Sequence, residues 1–371
     1  MNKNTYLTIR RTLLLPFLFI RKIKFPKDFE IKKILVLRHD RIGDMILSTG
    51  IFHALKKKYP DAYIIVLASK TNSDIIQNNP DVDEILIYKG IKQFIKEIRK
   101  KKVDLAVDLF FTYELKQAFL AYLSGARYRL GFENAGREIF FNIKGPGMDN
   151  SCSMNDHLAG LISCLDMDFK GYQFRLNLSD EEKKWAENYM TSHGIKKDSF
   201  KIAVHPGGFY PSQRWPEENF VNISEKIMEN YSFQIILFGD KNEEKLLKNI
   251  KHKIESGNVS IFCSLTLRQA VSLLNECDFF IGNNSGLLHI AYALKIPAVS
   301  MMGPTDPVLW RPEGENNIVL RKDLECSPCG RAKCEDHKCM NLISADEVFE
   351  AVKNLVEEVY GAKKYKKDSC N

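Results

Sequence analysis

Ile281-Gly-Asn-Asn-Ser-Gly-Leu-Leu-His289 reads as a strand that stops and a helix that starts. Cys277 to Ile281 is apolar enough to be a buried strand. Asn283 to Gly286 form a small polar turn, and Leu287 to Lys295 follow with helical apolar spacing. Ser285 stands where an N-cap belongs. The helix start gathers unpaired N–H groups and the positive end of a dipole, which suits a phosphate. Gly286 permits close approach of a ligand to the backbone. The competing reading of this stretch alone is an ordinary turn, several of which occur in any doubly wound sheet.

A second handover of the same kind lies near the N-terminus. Lys33-Ile-Leu-Val-Leu-Arg38 reads as a short buried strand, followed by His39-Asp-Arg-Ile-Gly-Asp44. A helix then carries apolar residues at Ile46, Leu47, Ile51, Ala54 and Leu55. Gly43 and Asp44 therefore sit at the carboxyl edge of a sheet, where ligands bind in open α/β folds. A helix cap is the bland alternative for Asp44.

Outward from these two turns, strands and helices alternate. The first half predicts strands near 33–38, 63–68, 84–88, 103–108 and 127–131, with helices near 44–58, 70–77, 91–101 and 113–123. Residues 132–152, rich in Gly and Asn, are expected to be an irregular loop, and a helix follows over about 155–165. The second half predicts strands near 201–205, 233–238, 258–262, 277–281 and 297–302. Its helices fall near 217–230, 241–250, 266–275 and 286–295, and capping boxes at Ser179–Glu182 and Ser344–Glu347 open two more. This alternation implies parallel sheets covered by helices, an α/β class. We expect a basic, apolar extension over 1–30, domains over 31–175 and 176–343, a helix over 344–362 and a basic tail over 363–371. At 371 residues and 44% hydrophobic, each domain is large enough for its own core.

Charge is unevenly placed. Residues 1–33 hold nine Lys or Arg against Asp28 and Glu30, a net of +7 that equals the formal charge of the whole chain. Within them lies apolar Thr12 to Ile20, interrupted by Pro16. It is shorter than the ~20 residues that span a bilayer and has no small-residue cleavage site. Basic flanks around an apolar stretch suggest a peripheral anchor on an anionic cytoplasmic leaflet; a helix packed on the first domain is the alternative. No recognition motif accompanies the basic balance, so nucleic acid is excluded as a partner.

Four motifs together resemble glycosyltransferase family 9, the heptosyltransferases that build the lipopolysaccharide inner core. They are Arg38-x-Asp40-x-Ile42-Gly43-Asp44, His205-Pro-Gly-Gly208 with Gln213-Arg-Trp-Pro216, Asn284-Ser-Gly-x-x-His289, and Gly303-Pro-Thr-Asp-Pro307. The resemblance spans about residues 32 to 355. It implies two Rossmann-like, doubly wound domains facing a cleft, the GT-B fold. It also implies inverting, metal-independent transfer of heptose from ADP-heptose to a lipid-linked core oligosaccharide, in the cytoplasm at the inner membrane. By the same resemblance Asp44 takes the position of the catalytic base, with Asp40 as its rival. Gly207, Gly208, Gln213, Arg214, Glu243, Asn284, Ser285, Gly286 and His289 fall on donor-binding positions, Glu243 on the one that meets the ribose. Two residues depart from the family pattern. Gln213 stands where a Lys is common, so Arg214 is expected to meet the diphosphate, and Asn284 stands where Asp is common. Transfer of another nucleotide-activated sugar to a lipid or protein, a non-catalytic donor-binding protein, and a sugar-nucleotide epimerase are the alternatives.

Of nine cysteines, Cys326, Cys329, Cys334 and Cys339 fall within fourteen residues. Such a set is able to ligate structural zinc or an iron–sulfur cluster; free thiols or a local disulfide are the other readings. Family catalysis itself requires no cofactor.

Overall fold

The computed structural model describes residue 12 and residues 30–147, 149, 151–168, 174–254 and 257–361. The anchor expected at Thr12–Ile20, beyond Thr12 itself, and the basic tail 363–371 lie outside the described residues. The chain divides into two units, Met1–Asn177 and Leu178–Asn371.

In the first unit, strands β1 (Lys33–Leu37), β2 (Tyr63–Ala68), β3 (Glu84–Ile87), β4 (Leu105–Asp108), β5 (Tyr128–Glu133) and β6 (Ile143–Gly147) form one sheet in the order β3-β2-β1-β4-β5-β6. Every pairing is parallel. Ile34, Leu35, Val36 and Leu37 of β1 have no exposed surface. A strand buried on both faces must be apolar throughout, and each such side chain stabilises the fold by about 1.5–3 kcal/mol. Helices α1 (Ile42–Lys58), α2 (Ile91–Lys101), α3 (Leu115–Leu123) and α4 (Met154–Ser163) provide the connections and cover the sheet. Strand order reverses between β1 and β4, so the chain leaves these two neighbours in opposite directions and opens a crevice at their carboxyl ends.

The second unit opens with α5 (Asp180–Ser192) and repeats the topology. Its strands are β7 (Lys201–His205), β8 (Gln234–Phe238), β9 (Val259–Phe262), β10 (Phe279–Asn283), β11 (Ala298–Met301) and β12 (Asn317–Leu320), in the order β12-β11-β10-β7-β8-β9. Helices α6 (Glu217–Asn230), α7 (Glu244–Lys253), α8 (Leu267–Asn275) and α9 (Gly286–Ala293) join them, followed by the short α10 (Pro307–Trp310) and α11 (Lys338–Asn341) and the long α12 (Ala345–Tyr360). The reversal here falls between β7 and β10. Both expected capping boxes form: Ser179 Oγ accepts from the Glu182 N–H at 3.2 Å, and Ser344 Oγ from the Glu347 N–H at 3.2 Å.

Sequence periodicity misses several features, the short helices α10 and α11 among them. Residues 132–152 are not one irregular loop: they hold the end of β5, a 3-10 turn at Arg137–Phe140, and all of β6. Strand β12 is a further omission, and residues 70–77 contain only a 3-10 turn at Ser73–Ile76. β6 is hidden because its sequence, Ile-Lys-Gly-Pro-Gly, lacks an apolar run. It is held by fit instead. A Cβ on Gly131 would stand 2.2 Å from the Phe141 ring, and one on Gly145 would meet Leu161 at 2.4 Å. Gly131→Ala should therefore lower stability by about 1–3 kcal/mol in urea unfolding, and Phe141→Leu in the same chain should recover part of it.

Candidate active site

In the first unit, the site is built on the segments that leave β1 and β4. Arg38 directly follows β1 and is only 1% exposed. Its Nη1 lies 2.9 Å from Asp40 Oδ2 and 3.5 Å from Asp44 Oδ1, while its Nη2 donates to the Leu109 carbonyl after β4. The guanidinium also lies against the Phe110 ring, 5.6 Å from its centroid. Both acidic residues remain partly open, Asp40 at 22% and Asp44 at 13% exposed. Asn72 fastens the loop between them by donating to the carbonyls of Arg38 at 3.0 Å and Asp40 at 3.4 Å. Among the described residues no side chain caps α1, so Asp44 is not spent as a cap. Burial raises its pKa, the neighbouring Asp40 charge raises it further, and Arg38 and Arg41 only partly oppose them, leaving Asp44 at about 7. A carboxyl balanced near neutrality is suited to taking a proton.

Behind this pair stands a second, fully buried one. Arg137 Nη2 meets Asp108 Oδ2 at 2.5 Å, and its Nη1 reaches the carbonyls of Phe110 and Thr112. Asp108 Oδ1 accepts from the Phe110 N–H at 2.9 Å. The segment after β4 is thereby clamped on its inner side, which fixes the Leu109 carbonyl that Arg38 needs. His39 packs between Tyr88 and Phe110, with centroids 4.7 and 4.8 Å away, and burial lowers its pKa to about 4.

In the second unit, β7 and β10 bring the expected donor residues together. Asn283, which the sequence marks only as part of a turn, is fully buried and central. Its Nδ2 donates to the carbonyls of Pro206 and Gly207, both at 2.9 Å, and its Oδ1 accepts from the Trp215 N–H at 3.0 Å. One side chain thus joins the loop after β7, the Gln213–Trp215 stretch and the end of β10. Trp215 packs in the core, edge-on to Phe220 at 5.0 Å.

Ser285 departs from expectation. It occupies the N-cap position of α9 but makes no side-chain cap; its hydroxyl pairs with His205 Nδ1 at 3.0 Å. The helix start therefore keeps first-turn amides that the cap residue has not taken, and Gly286 adds no side chain of its own. On the far side of the ring, His205 Nε2 faces Glu243 Oε2 at 3.4 Å. Burial pushes the Glu243 carboxyl up, but the His205 contact and the N–H groups of Asp240 and Gly208 outweigh it and hold it at about 2. An ionised carboxylate only accepts, so Nε2 donates to Glu243 and, in the neutral ring, Nδ1 accepts from Ser285. Gly207 makes room for Glu243: a Cβ there would stand 1.9 Å from Oε1. Glu243 remains 12% exposed.

Arg214 donates through Nε and Nη2 to the Gly208 carbonyl at 3.0 and 2.8 Å. Gln213 donates to Thr305 Oγ1 at 2.9 Å, tying its turn to the Gly303–Pro307 motif. Asn284 is anchored by its backbone N–H to Met301, 3.3 Å away. His289 is buried, burial lowers its pKa to about 4, and its Nδ1 has no hydrogen-bond partner among the described residues.

The metal site expected at the cysteine cluster finds no support. Among the described residues, no three His, Cys, Asp or Glu side chains are grouped to hold a metal ion. Cys326, Cys329 and Cys334 are exposed, Cys339 is buried, and all four are free thiols. Hydrogen bonds hold their loop instead. The Cys329 and Gly330 N–H groups donate to Pro304, Ser327 Oγ donates to Gly303 at 2.7 Å, and His337 Nε2 donates to the Ser212 carbonyl at 2.8 Å. Cys339 packs beneath Gly303, whose absent Cβ would fall 2.7 Å from Sγ.

Both acidic and amide groups of the site bear on stability. Asp44 has a folded pKa raised from 3.8 to about 7, so its contribution is fully present below the unfolded value and is lost as pH rises through the folded one. Asp44→Asn should therefore melt higher than wild type above pH ~7, with the difference gone below pH ~4, in calorimetric scans. Asn283→Ala leaves buried backbone groups unpaired and should cost about 2–4 kcal/mol in urea unfolding.

A profile of Glycosyltransferase family 9 (heptosyltransferase) matches residues 91–340. The lipooligosaccharide heptosyltransferase 2 of Haemophilus ducreyi is 24% identical over 354 residues, covering 87% of this chain and 99% of that protein. The crystal structure of a family 9 glycosyl transferase from Veillonella parvula superposes with a TM-score of 0.78 at 20% identity, covering 89% of this chain and 99% of that one. The E. coli ADP-heptose lps heptosyltransferase II structure gives 0.72 at 23% identity, covering 88% and 99%. The fold is thus the GT-B fold of these neighbours, and the chain belongs to glycosyltransferase family 9, the heptosyltransferases.

Proposed function

We propose that the protein transfers heptose from ADP-heptose to a hydroxyl of a lipid-linked core oligosaccharide, with inversion, in lipopolysaccharide core biosynthesis at the cytoplasmic membrane. The first unit holds the acceptor and the second the donor. Asp44 takes the proton of the attacking hydroxyl, that oxygen bonds to the anomeric carbon, and the bond to the diphosphate breaks, releasing ADP. Asp40 keeps Arg38 occupied and raises the basicity of Asp44. The observation that carries the reading is Asp44: a partly open carboxyl beside a buried guanidinium, pushed up to about 7.

On the donor side, the diphosphate meets the uncapped start of α9, with Ser285, Gly286 and Asn284 beside it and the glycine loop of Gly207 and Gly208 opposite. Arg214 supplies charge from the guanidinium edge that does not face Gly208, and these groups make a metal unnecessary for leaving-group departure. Glu243 has about one lone-pair site, on Oε1, left for a ribose hydroxyl after its contacts to His205, Gly208 and the Asp240 N–H. His289 stands one turn along α9, behind the phosphate site.

Calorimetric binding of ADP, UDP, GDP and CDP tests the donor. Wild type should select ADP, and Arg214→Ala should weaken it by about 1.5–3 kcal/mol. Preference for a different nucleotide would retain the sites and discard heptose as the sugar. Gln213 engages Thr305 at the position where the family resemblance implies Lys, which favours that second outcome over any other alternative. For turnover, kcat/KM should fall about tenfold per pH unit below pH ~7, as Asp44 protonates, and level off above it. A profile flat down to pH ~5 would remove Asp44 from the base role.

A further inference from the structure

The first unit carries a surface that its chemistry does not use. On α2, Lys92, Lys96, Arg99 and Lys100 are exposed and fall on one arc of the helix, opposite buried Phe94 and Ile98. Residues 89–102 hold seven Lys or Arg against Glu97 alone. The neighbouring α3 exposes Lys116, Phe119 and Tyr122, spaced three apart on one face. The two helices lie on the same side of the sheet, because Phe94 and Ile98 share a core with Ala118, Leu120 and Ala121. Arg99 Nε donates to the Leu123 carbonyl at 2.7 Å and joins them directly.

Phe119 and Tyr122 are 36% and 41% exposed, and neither is a stray ring. They stack on each other at 6.2 Å, rest on Phe140 at 5.4 and 6.0 Å, and Arg129 covers Tyr122 at 5.6 Å. The result is a rigid aromatic ridge beside a cationic stripe. Aromatic rings of this kind favour the headgroup level of a bilayer, and Lys and Arg beside them are drawn to anionic lipid.

We propose that α2 and α3 form a docking face for an anionic phospholipid bilayer, separate from the basic N-terminal stretch. Charge complementarity selects the occupant, and continuity with the site supports it. Lys116 lies over the Tyr88 ring at 5.1 Å, and Tyr88 packs on His39 at 4.7 Å, one residue from Asp40. A bilayer on this face would present a lipid-linked sugar to the carboxylates with its lipid still embedded. In that respect the inference rests on the acceptor reading above.

The test is co-flotation of the full chain with vesicles of phosphatidylcholine doped with phosphatidylglycerol, compared with phosphatidylcholine alone. Lys92→Glu/Lys96→Glu/Lys100→Glu and Phe119→Ser/Tyr122→Ser are compared with Arg10→Glu/Arg11→Glu. Each helix variant should lose at least about tenfold in partitioning to the anionic vesicles, and wild-type binding should weaken with salt. Unfolding midpoints and ADP affinity serve as controls for folding. Folded helix variants that float like wild type, or binding lost only in the N-terminal variant, would overturn the proposal and leave an acidic protein as the partner for this face. The vesicles contain no acceptor and no turnover is read, so the result stands apart from success or failure of the transfer assignment.

Discussion

A guanidinium keeps its charge even when it is shut away from water, so the groups around Arg38 are arranged to satisfy it. A carbonyl after β4 takes one arm and the two acidic side chains share the other. That arrangement has a chemical cost and a chemical use. Two carboxylates this close cannot both ionise freely, and the deeper one is left half-willing to hold a proton. The inner pair of Arg137 and Asp108 serves the same end at one remove. It holds the backbone that offers Arg38 its carbonyl, so the charge balance around Asp44 stands on a fully buried ion pair.

On the proposed donor reading, the second unit faces the complementary problem and meets it largely by fixing its backbone. A diphosphate brings its own charge, and the protein must supply donors without crowding them. Asn283 does this indirectly, by fixing three backbone segments with one amide. Glu243 sits in the space that Gly207 leaves and holds the glycine loop through Gly208. Both are positional roles: Asn283 acts from the end of β10, where the strand order turns back on itself, and Glu243 from the turn after neighbouring β8.

Much of this is legible in the residues alone. Buried strands such as β1 and helices with clear spacing, such as α6 and α12, announce themselves because their packing demands one kind of residue. β6 and β12 do not, because edge strands need fewer apolar residues and β6 is fixed by glycine fit rather than by periodicity. The site shows the same division. Asp44, Arg214 and Glu243 are picked out by the family resemblance of their motifs, not by residue type alone. Asn283 is not, since an Asn in a turn gives no sign that it will be buried and triply bonded. Four cysteines in fourteen residues suggest a metal set, and Cys326, Cys329 and Cys334 do lie near enough to act on Cys339, but spacing alone does not give ligand geometry when hydrogen bonds to Gly303, Pro304 and Ser212 decide how the loop lies.

The hydroxyl of Ser285 is given to His205 rather than to its own helix. On the proposed donor reading, recognition at α9 is therefore written in main-chain N–H groups, which no substitution other than to proline deletes. On that reading a pocket of this kind tolerates drift in the residues around it, and Gln213 and Asn284 would differ from the usual pair without erasing the proposed phosphate site. What such drift changes is discrimination: side chains would choose among sugars and bases, while the helix start accepts whatever diphosphate they admit. Altering specificity in this protein thus means editing the rim and leaving the floor alone.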